Sequence, residues 1–203
     1  MNMIKKIIYS ALEASGAIIK KNIRVKNKKV YRKGTIDLLT ETDRAVENTV
    51  IRMISTRFPD HSILSEESKP KTGNAAYRWI IDPLDGTTNF VHAVPHIATS
   101  IACEYAGTVI AGGVFDPMRE ELFYAELNRG AFLNNKPIRV SPVKKLNDAL
   151  LVTGFPYDRR AYADYYLSFY RSFMVCTQGV RRQGTASLDL SYVACGRLDG
   201  FWE

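Results

Sequence analysis

The amino-acid sequence predicts an α+β domain in which helices and sheet pack as layers. Three observations carry that prediction. Apolar residues near the N-terminus recur at helical spacing, a central block of strand-like runs is punctuated by Ala-Gly, Gly-Gly and Asp-Pro pairs, and the last part returns to helical patterning before one more strand.

The elements follow in order. Residues 3–21 place Ile4, Ile7, Ile8, Leu12 and Ile19 at helical spacing, and Glu13 interrupts the apolar stretch, so this is an amphipathic helix and not a cleaved secretory signal. A second helix is expected over 43–57, with Val46, Val50, Met53 and Ile54 on one face. Thr42 is the expected cap, Asp43 sits near the helix's positive end, and Pro59-Asp60 ends it. Residues 62–65 form a short strand leading into Glu66-Glu67, and 78–81 an apolar strand that delivers Asp82 at its carboxyl end. The runs 98–105, 109–115 and 121–125 read as an antiparallel meander. Residues 160–173 and 185–195 read as helices, with Gly196 as a stop, and 198–202 as a last strand. There is no internal repeat and no low-complexity linker.

The 203 residues suffice for one large domain or two small ones, and the division expected is 1–140, carrying a metal site, and 141–203, carrying residues of a substrate pocket. No apolar run approaches the roughly 20 residues that span a membrane. Cys103, Cys176 and Cys195 are scattered and odd in number, which favours a reducing cytoplasm and a role for each as a small buried apolar residue. The formal net charge is +7, and eight of the fourteen residues from Lys20 to Lys33 are Lys or Arg. Such a run is a solvated face or a surface that steers phosphorylated or nucleic-acid partners. Only Tyr31 is interleaved with it, so a stacking surface for single-stranded nucleic acid is unsupported.

The chemistry concentrates in WIIDPLDGTTNF, residues 79–90. Asp82 and Asp85 stand three apart on an expected Pro/Gly turn, where two carboxylates can point at one spot. Hard divalent cations such as Mg²⁺ take oxygen ligands held in that way, and the Leu84 carbonyl is a further one. Glu66 ends one strand as Asp82 ends the next, so adjacent strand ends bring the two together. Gly86 leaves room for a phosphate to approach the backbone, and the amides and hydroxyls after it face that anion. Thr87 is placed to orient a water, with Glu66 to accept its proton.

WIIDPLDGTTNF resembles the first signature of the inositol monophosphatase family, the magnesium-dependent, lithium-sensitive sugar phosphatases. LTETD (39–43), ILSEES (63–68), VFDPMREELFYAELNRGAFLNNKPI (114–138), TGFPYD (153–158) and RRQGTASLDLSYVACGRLDGFWE (181–203) are similar to its bacterial branch, so the likeness covers nearly the whole chain. The resemblance implies a layered αβαβα sandwich, a homodimer, Mg²⁺ as cofactor, and hydrolysis of inositol monophosphate or a similar small phosphomonoester in the cytoplasm. It implies Glu66, Asp82, the Leu84 carbonyl and Asp85 as metal ligands, and Thr87, with Asp43 behind it, in water activation. It implies Gly86 and Thr87 as the phosphate turn, Arg181, Gly184, Thr185 and Ala186 as pocket lining, Glu203 as a partner of sugar hydroxyls, and Lys33 as a basic residue near the site. His61, His92 and His96 fall outside the pattern and are assigned structural or solvent roles; Trp79 and Trp202 are assigned to core or strand.

The sequence departs from the family in one respect. The family carries a second signature, Trp-Asp before a small-residue helix, beyond the position of Glu203. The expectation is a sandwich without its last helix–strand elements, with one Mg²⁺ retained, further metals weakened, activity impaired and apolar faces uncovered. A catalytically poor relative acting as a binding or regulatory protein is the second reading. A phosphatase for another sugar or nucleotide phosphate is the third.

Overall fold

Helix α1, Met3–Asn22, turns its isoleucine stripe inward: Ile4, Ile8, Leu12 and Ile19 are buried. The computed structural model describes residues 3–203, apart from the side chains of residues 74 and 75. A short antiparallel hairpin follows, β1 (Val30–Arg32) with β2 (Leu38–Thr40), and leads directly into α2, Glu41–Arg57. The cap of α2 is Thr40, not the expected Thr42. The Thr40 hydroxyl accepts from the backbone N–H groups of Thr42 and Asp43, and the Asp43 carboxylate accepts from the Thr40 N–H at 2.9 Å. This reciprocal capping box satisfies orphan donors at both ends of the first turn. Thr40→Ala is expected to cost about 1 kcal/mol, lowering the melting temperature by roughly 2–4 °C in a thermal unfolding scan.

Strands β3 (His61–Ser65) and β4 (Asn74–Asp85) pair in parallel. After the short helix α3 (Thr87–Val91), β5 (Ala98–Tyr105), β6 (Thr108–Asp116) and β7 (Glu121–Glu126) form the antiparallel meander that the sequence predicts. Two further strands, β8 (Gly130–Leu133) and β9 (Lys136–Pro137), complete a seven-stranded sheet in the order β3-β4-β5-β6-β7-β8-β9. They are joined through Asn134 and Asn135, both at positive φ (47° and 64°), the geometry of a two-residue hairpin loop.

Strand β4 also corrects the sequence reading. The chain does not turn between Asp82 and Asp85. It continues as strand, pairing Asp82 with Ser100 and Asp85 with Ala98, so three steps on β4 face two on β5. The extra residue is a β-bulge, which re-aims side chains locally.

A second sheet, of order β11-β10-β12, is all parallel: β10 (Leu150–Thr153), β11 (Gly179–Arg181) and β12 (Gly200–Trp202). The crossovers are helices α4 (Ala163–Met174) and α5 (Ala186–Ala194). Gly196 adopts φ +77°, the left-handed stop expected after α5.

The layers then stack as α1 and α2, the large sheet, α5, the small sheet and α4, an αβαβα sandwich. Between the first two layers Val46, Val50 and Ile54 meet Trp79, Ile81, Ile101 and Cys103. Helix α1 approaches β6 closely: a Cβ at Gly113 would stand 2.8 Å from Leu12 Cδ1 and 3.0 Å from Ile8 Cγ2. On the opposite face Ala98 and Phe123 pack with Val152, Leu188 and Tyr192. Helix α4 has no buried residue, and Tyr165, Leu167, Phe169 and Met174 are exposed. Cys103 is buried as expected, whereas Cys176 and Cys195 are only partly covered. Among the described residues no helix is long and apolar enough to cross a membrane.

A candidate active site of carboxylates and a glycine turn

Glu66 stands one residue beyond β3. Its N–H donates to the Ile81 carbonyl at 3.2 Å, so the β3–β4 ladder runs one step further and sets Glu66 beside Asp82. On the bulge, Asp82 Oδ1 accepts from the Leu84 N–H at 3.1 Å, and Asp85 Oδ2 accepts from the Ser187 N–H at 2.7 Å. Ser187 lies in the first turn of α5, whose unpaired amides and dipole favour a negative group there. Burial raises the Asp82 carboxyl well above the ordinary range, and the neighbouring charges of Asp85 and Glu66 raise it further. Burial also raises Asp85, against the bonds from Ser187 that hold it down. Closely set acids in this state gain from any cation placed between them.

Lys33, on the loop between β1 and β2, supplies one positive charge. Its Nζ lies 2.7 Å from Glu67, 3.0 Å from Glu66 and 3.6 Å from Asp37. Burial works against the ammonium, yet the bonds to Glu67 and Glu66 outweigh it and raise its pKa.

Gly86 adopts φ +90° and opens α3. Thr87 Oγ1 then lies 3.2 Å from Asp43 Oδ1 and 3.1 Å from the Leu84 carbonyl. Asp43 is nearly inaccessible to solvent; burial raises its pKa, opposed by bonds from Thr40 and Thr87. The same carboxylate thus caps α2 with one oxygen and reaches Thr87 with the other. Next to the turn, the Thr185 hydroxyl and the Asn89 amide both donate to the His96 carbonyl, at 2.8 and 2.9 Å, and so pin the start of α5 against α3. A Cβ at Gly86 would stand 2.5 Å from Thr185 Oγ1.

Beside these groups lies a cavity of about 450 Å³. Of the residues expected at the site, Glu66, Asp82, Leu84, Asp85, Gly86, Thr87, Gly184, Thr185, Ala186 and Glu203 line it, and Asp43 lies behind Thr87. Burial raises the Glu203 carboxyl, which sits against Gly154. Arg181 departs from expectation: it is exposed on β11, with Nη1 on the Val180 carbonyl, and its neighbour Arg182 lines the cavity instead. The sequence reading missed Asn89, Asp189, Phe155, Tyr157 and Arg159, which also line it. Asp189 is buried with Oδ1 unbonded, 3.7 Å from the buried His96 Nε2. The first four lie within motifs whose likeness implies no role for them: Asn89 in WIIDPLDGTTNF, Asp189 in the 181–203 run, and Phe155 and Tyr157 in TGFPYD; Arg159 falls outside these motifs. His61 is structural: it stacks between Phe58 and Tyr77 and accepts from the Trp79 indole N–H at 3.0 Å.

Among the described residues no three His, Cys, Asp or Glu side chains form a ready metal cage. The donors present are carboxylate and carbonyl oxygens, which suit a hard cation. Mg²⁺ is ordinarily held by one or two carboxylates together with water and substrate phosphate, so an Asp82–Asp85 pair with Glu66 beside it fits that ion.

Fold and site define the class: an αβαβα sandwich of the sugar-phosphatase type, with an acidic cleft where the large sheet meets the N-terminus of α5. The sequence profile described as the inositol monophosphatase family matches residues 1–203, and the chain belongs to that family. It is 46% identical over 209 residues to the Nus factor SuhB of Pseudomonas aeruginosa, covering 100% of this chain and 77% of that protein. It is 40% identical to the inositol-1-monophosphatase of Rhizobium meliloti, covering 99% of this chain and 76% of that one. The crystal structure of the extragenic suppressor protein suhB from Bartonella henselae superposes with a TM-score of 0.96 at 39% identity, covering 100% of this chain and 78% of that one.

Proposed function

We propose that the protein hydrolyses a small phosphomonoester of the inositol phosphate class with Mg²⁺ as cofactor. One observation carries this reading: Glu66, Asp82 and Asp85 converge beside a Gly86–Thr87 turn whose hydroxyl is bonded to the buried Asp43. Glu66, Asp82, Asp85 and the Leu84 carbonyl would hold the cation, which when bound neutralises phosphate charge and lowers the pKa of water.

The remaining steps belong to the chain. Asp43 accepts a hydrogen bond from the Thr87 hydroxyl, which turns a Thr87 lone pair toward the attacking water. Glu66 takes that water's proton. Gly86 lets the phosphate approach the amides of the turn, and the Gly184–Thr185–Ala186 segment bounds the substrate. Glu203 accepts from a sugar hydroxyl.

The test is phosphate release from inositol 1-phosphate by the folded chain, with Mg²⁺ varied and then removed by a chelator. Release that rises with Mg²⁺ and stops on chelation is expected; no release at any Mg²⁺ concentration would count decisively against the reading. The same family likeness motivates proposals of inhibition by lithium and of a homodimer, checked respectively by an activity titration and by sedimentation.

A second reading has one specific support: the relative 46% identical is named a Nus factor. A regulatory, protein-binding role that does not need hydrolysis predicts capture of the same partner by the natural chain and by a catalytically dead variant. Loss of capture in the dead variant alone would refute it.

A further inference from the structure

Of the acids that line the cavity, Asp189 has no part in the hydrolysis described above. It stands in the first turn of α5. Helical side chains lean toward the helix N-terminus, which points this one back toward Thr185 and Ala186 on the cavity wall. Asp189 is 1% exposed, and its Oδ1 has no hydrogen-bond partner among the described residues. His96 Nε2, itself buried and unbonded, lies 3.7 Å away, beyond hydrogen-bond reach.

A buried carboxyl without a donor is costly, and native proteins pair nearly all such groups. The donors around Asp189 are committed elsewhere. The Ser187 N–H goes to Asp85, the Thr185 hydroxyl to the His96 carbonyl, and the Asn89 amide to the carbonyls of His96 and Gln183. Behind Asp189 the His96 ring stands edge-on to Tyr192, with centroids 6.0 Å apart, and closes the inner side. The side left open is the cavity. Glu203 shares that space: burial raises its carboxyl, Arg182 opposes this, and the charges of Asp85 and Asp189 raise it further. Carboxylate oxygens take donors, so two such groups on one cavity suit an alcohol that carries several hydroxyls.

We propose that Asp189 accepts a hydrogen bond from a second hydroxyl of the substrate's alcohol, distinct from the one bonded to Glu203, and so selects a polyhydroxylated leaving group. The inference rests on the phosphatase reading above and assigns one more substrate contact in the same site. His96 is a positioning residue that backs the Asp189 carboxyl and does not itself reach the substrate.

The test measures KM and kcat in Mg²⁺ for inositol 1-phosphate and for cyclohexyl phosphate, the same ring without its hydroxyls. The natural chain is compared with Asp189→Leu, which keeps the volume and loses the acceptor, and with Asp189→Asn, which keeps a neutral acceptor. On inositol 1-phosphate, Asp189→Leu is expected to raise KM about tenfold and Asp189→Asn about threefold. On cyclohexyl phosphate both variants should stay within about twofold of the natural chain. Monodeoxy inositol 1-phosphates locate the contact: loss of one particular hydroxyl should cost the natural chain about tenfold and Asp189→Leu nothing. Equal losses on the two esters would overturn the inference and make Asp189 a packing partner of His96. No loss on either ester would overturn it too. Melting temperatures report whether Asp189→Leu folds; if it does not, Asp189→Asn decides by the same comparison. If the natural chain hydrolyses neither ester, the phosphatase reading fails, and calorimetry with free myo-inositol decides instead. Binding that Asp189→Asn weakens would support the hydroxyl contact, and equal or absent binding would overturn it.

Discussion

An Asp82→Asn variant is expected to release phosphate about a thousandfold more slowly than the natural chain while its metal-free form melts at a higher temperature. The rate loss follows because the cation's stabilisation of developing charge amounts to several kcal/mol, and each 1.36 kcal/mol is tenfold in rate. The stability gain has a separate cause. Burial, with Asp85 and Glu66 close by, raises the Asp82 carboxyl in the folded protein. The folded state therefore binds more protons than the unfolded one, and metal-free stability falls as pH rises from the ordinary carboxylate range through the raised value. Asparagine removes that cost at neutral pH, and each kcal/mol regained is worth roughly 2–4 °C for a chain of this size. The measurement is the melting temperature against pH in chelator, paired with phosphate release in Mg²⁺. A variant as active as the natural chain would show that Asp82 holds no cation.

Trp79→Ala should produce the largest loss of stability. Trp79 is fully buried between α2 and the large sheet, and its indole N–H donates to His61 Nδ1 at 3.0 Å. Removing it deletes the transfer energy of the ring, leaves a cavity and strips the His61 acceptor of its donor, about 3–5 kcal/mol together. That is a large part of a typical 5–15 kcal/mol and corresponds to a fall of roughly 6–20 °C. Activity should fall with it even below the melting point, since Trp79 lies on β4 three residues before Asp82. Leu190→Ala, at a position 52% exposed, is the control, with an expected effect within about 0.5 kcal/mol. A drop of less than about 2 °C for Trp79→Ala would contradict the packing argument.

Much of this was legible along the chain. The isoleucine stripe of α1 and the three strands of the meander follow from local periodicity. So does the stop at Gly196, because only short-range geometry decides such features. Where the reading failed, a longer-range contact decided. Thr42 is as good a capping residue as Thr40, but the chain leaves β2 at Thr40, and that sheet pairing selects the cap. Asp-Pro-Leu-Asp-Gly reads as a turn by composition, yet pairing with Ala98 and Ser100 keeps it in the strand as a bulge. Arg181 and Arg182 are equivalent in the sequence, and only the course of the chain after β11 sends the second into the cavity.

By itself the sequence determined the family and the chemical kind of each group: hard oxygens, a glycine able to take positive φ, a hydroxyl beside it. The tertiary structure decided which of them meet. The parallel register of β3 and β4 sets Glu66 beside Asp82, the capping box of α2 carries Asp43 to Thr87 across 44 residues, and the N-terminus of α5 reaches Asp85 across 102. The division has a physical reason. Side-chain chemistry and backbone preference act within a few residues, whereas the distances within a site are set by strand register and by how the layers close over their apolar faces.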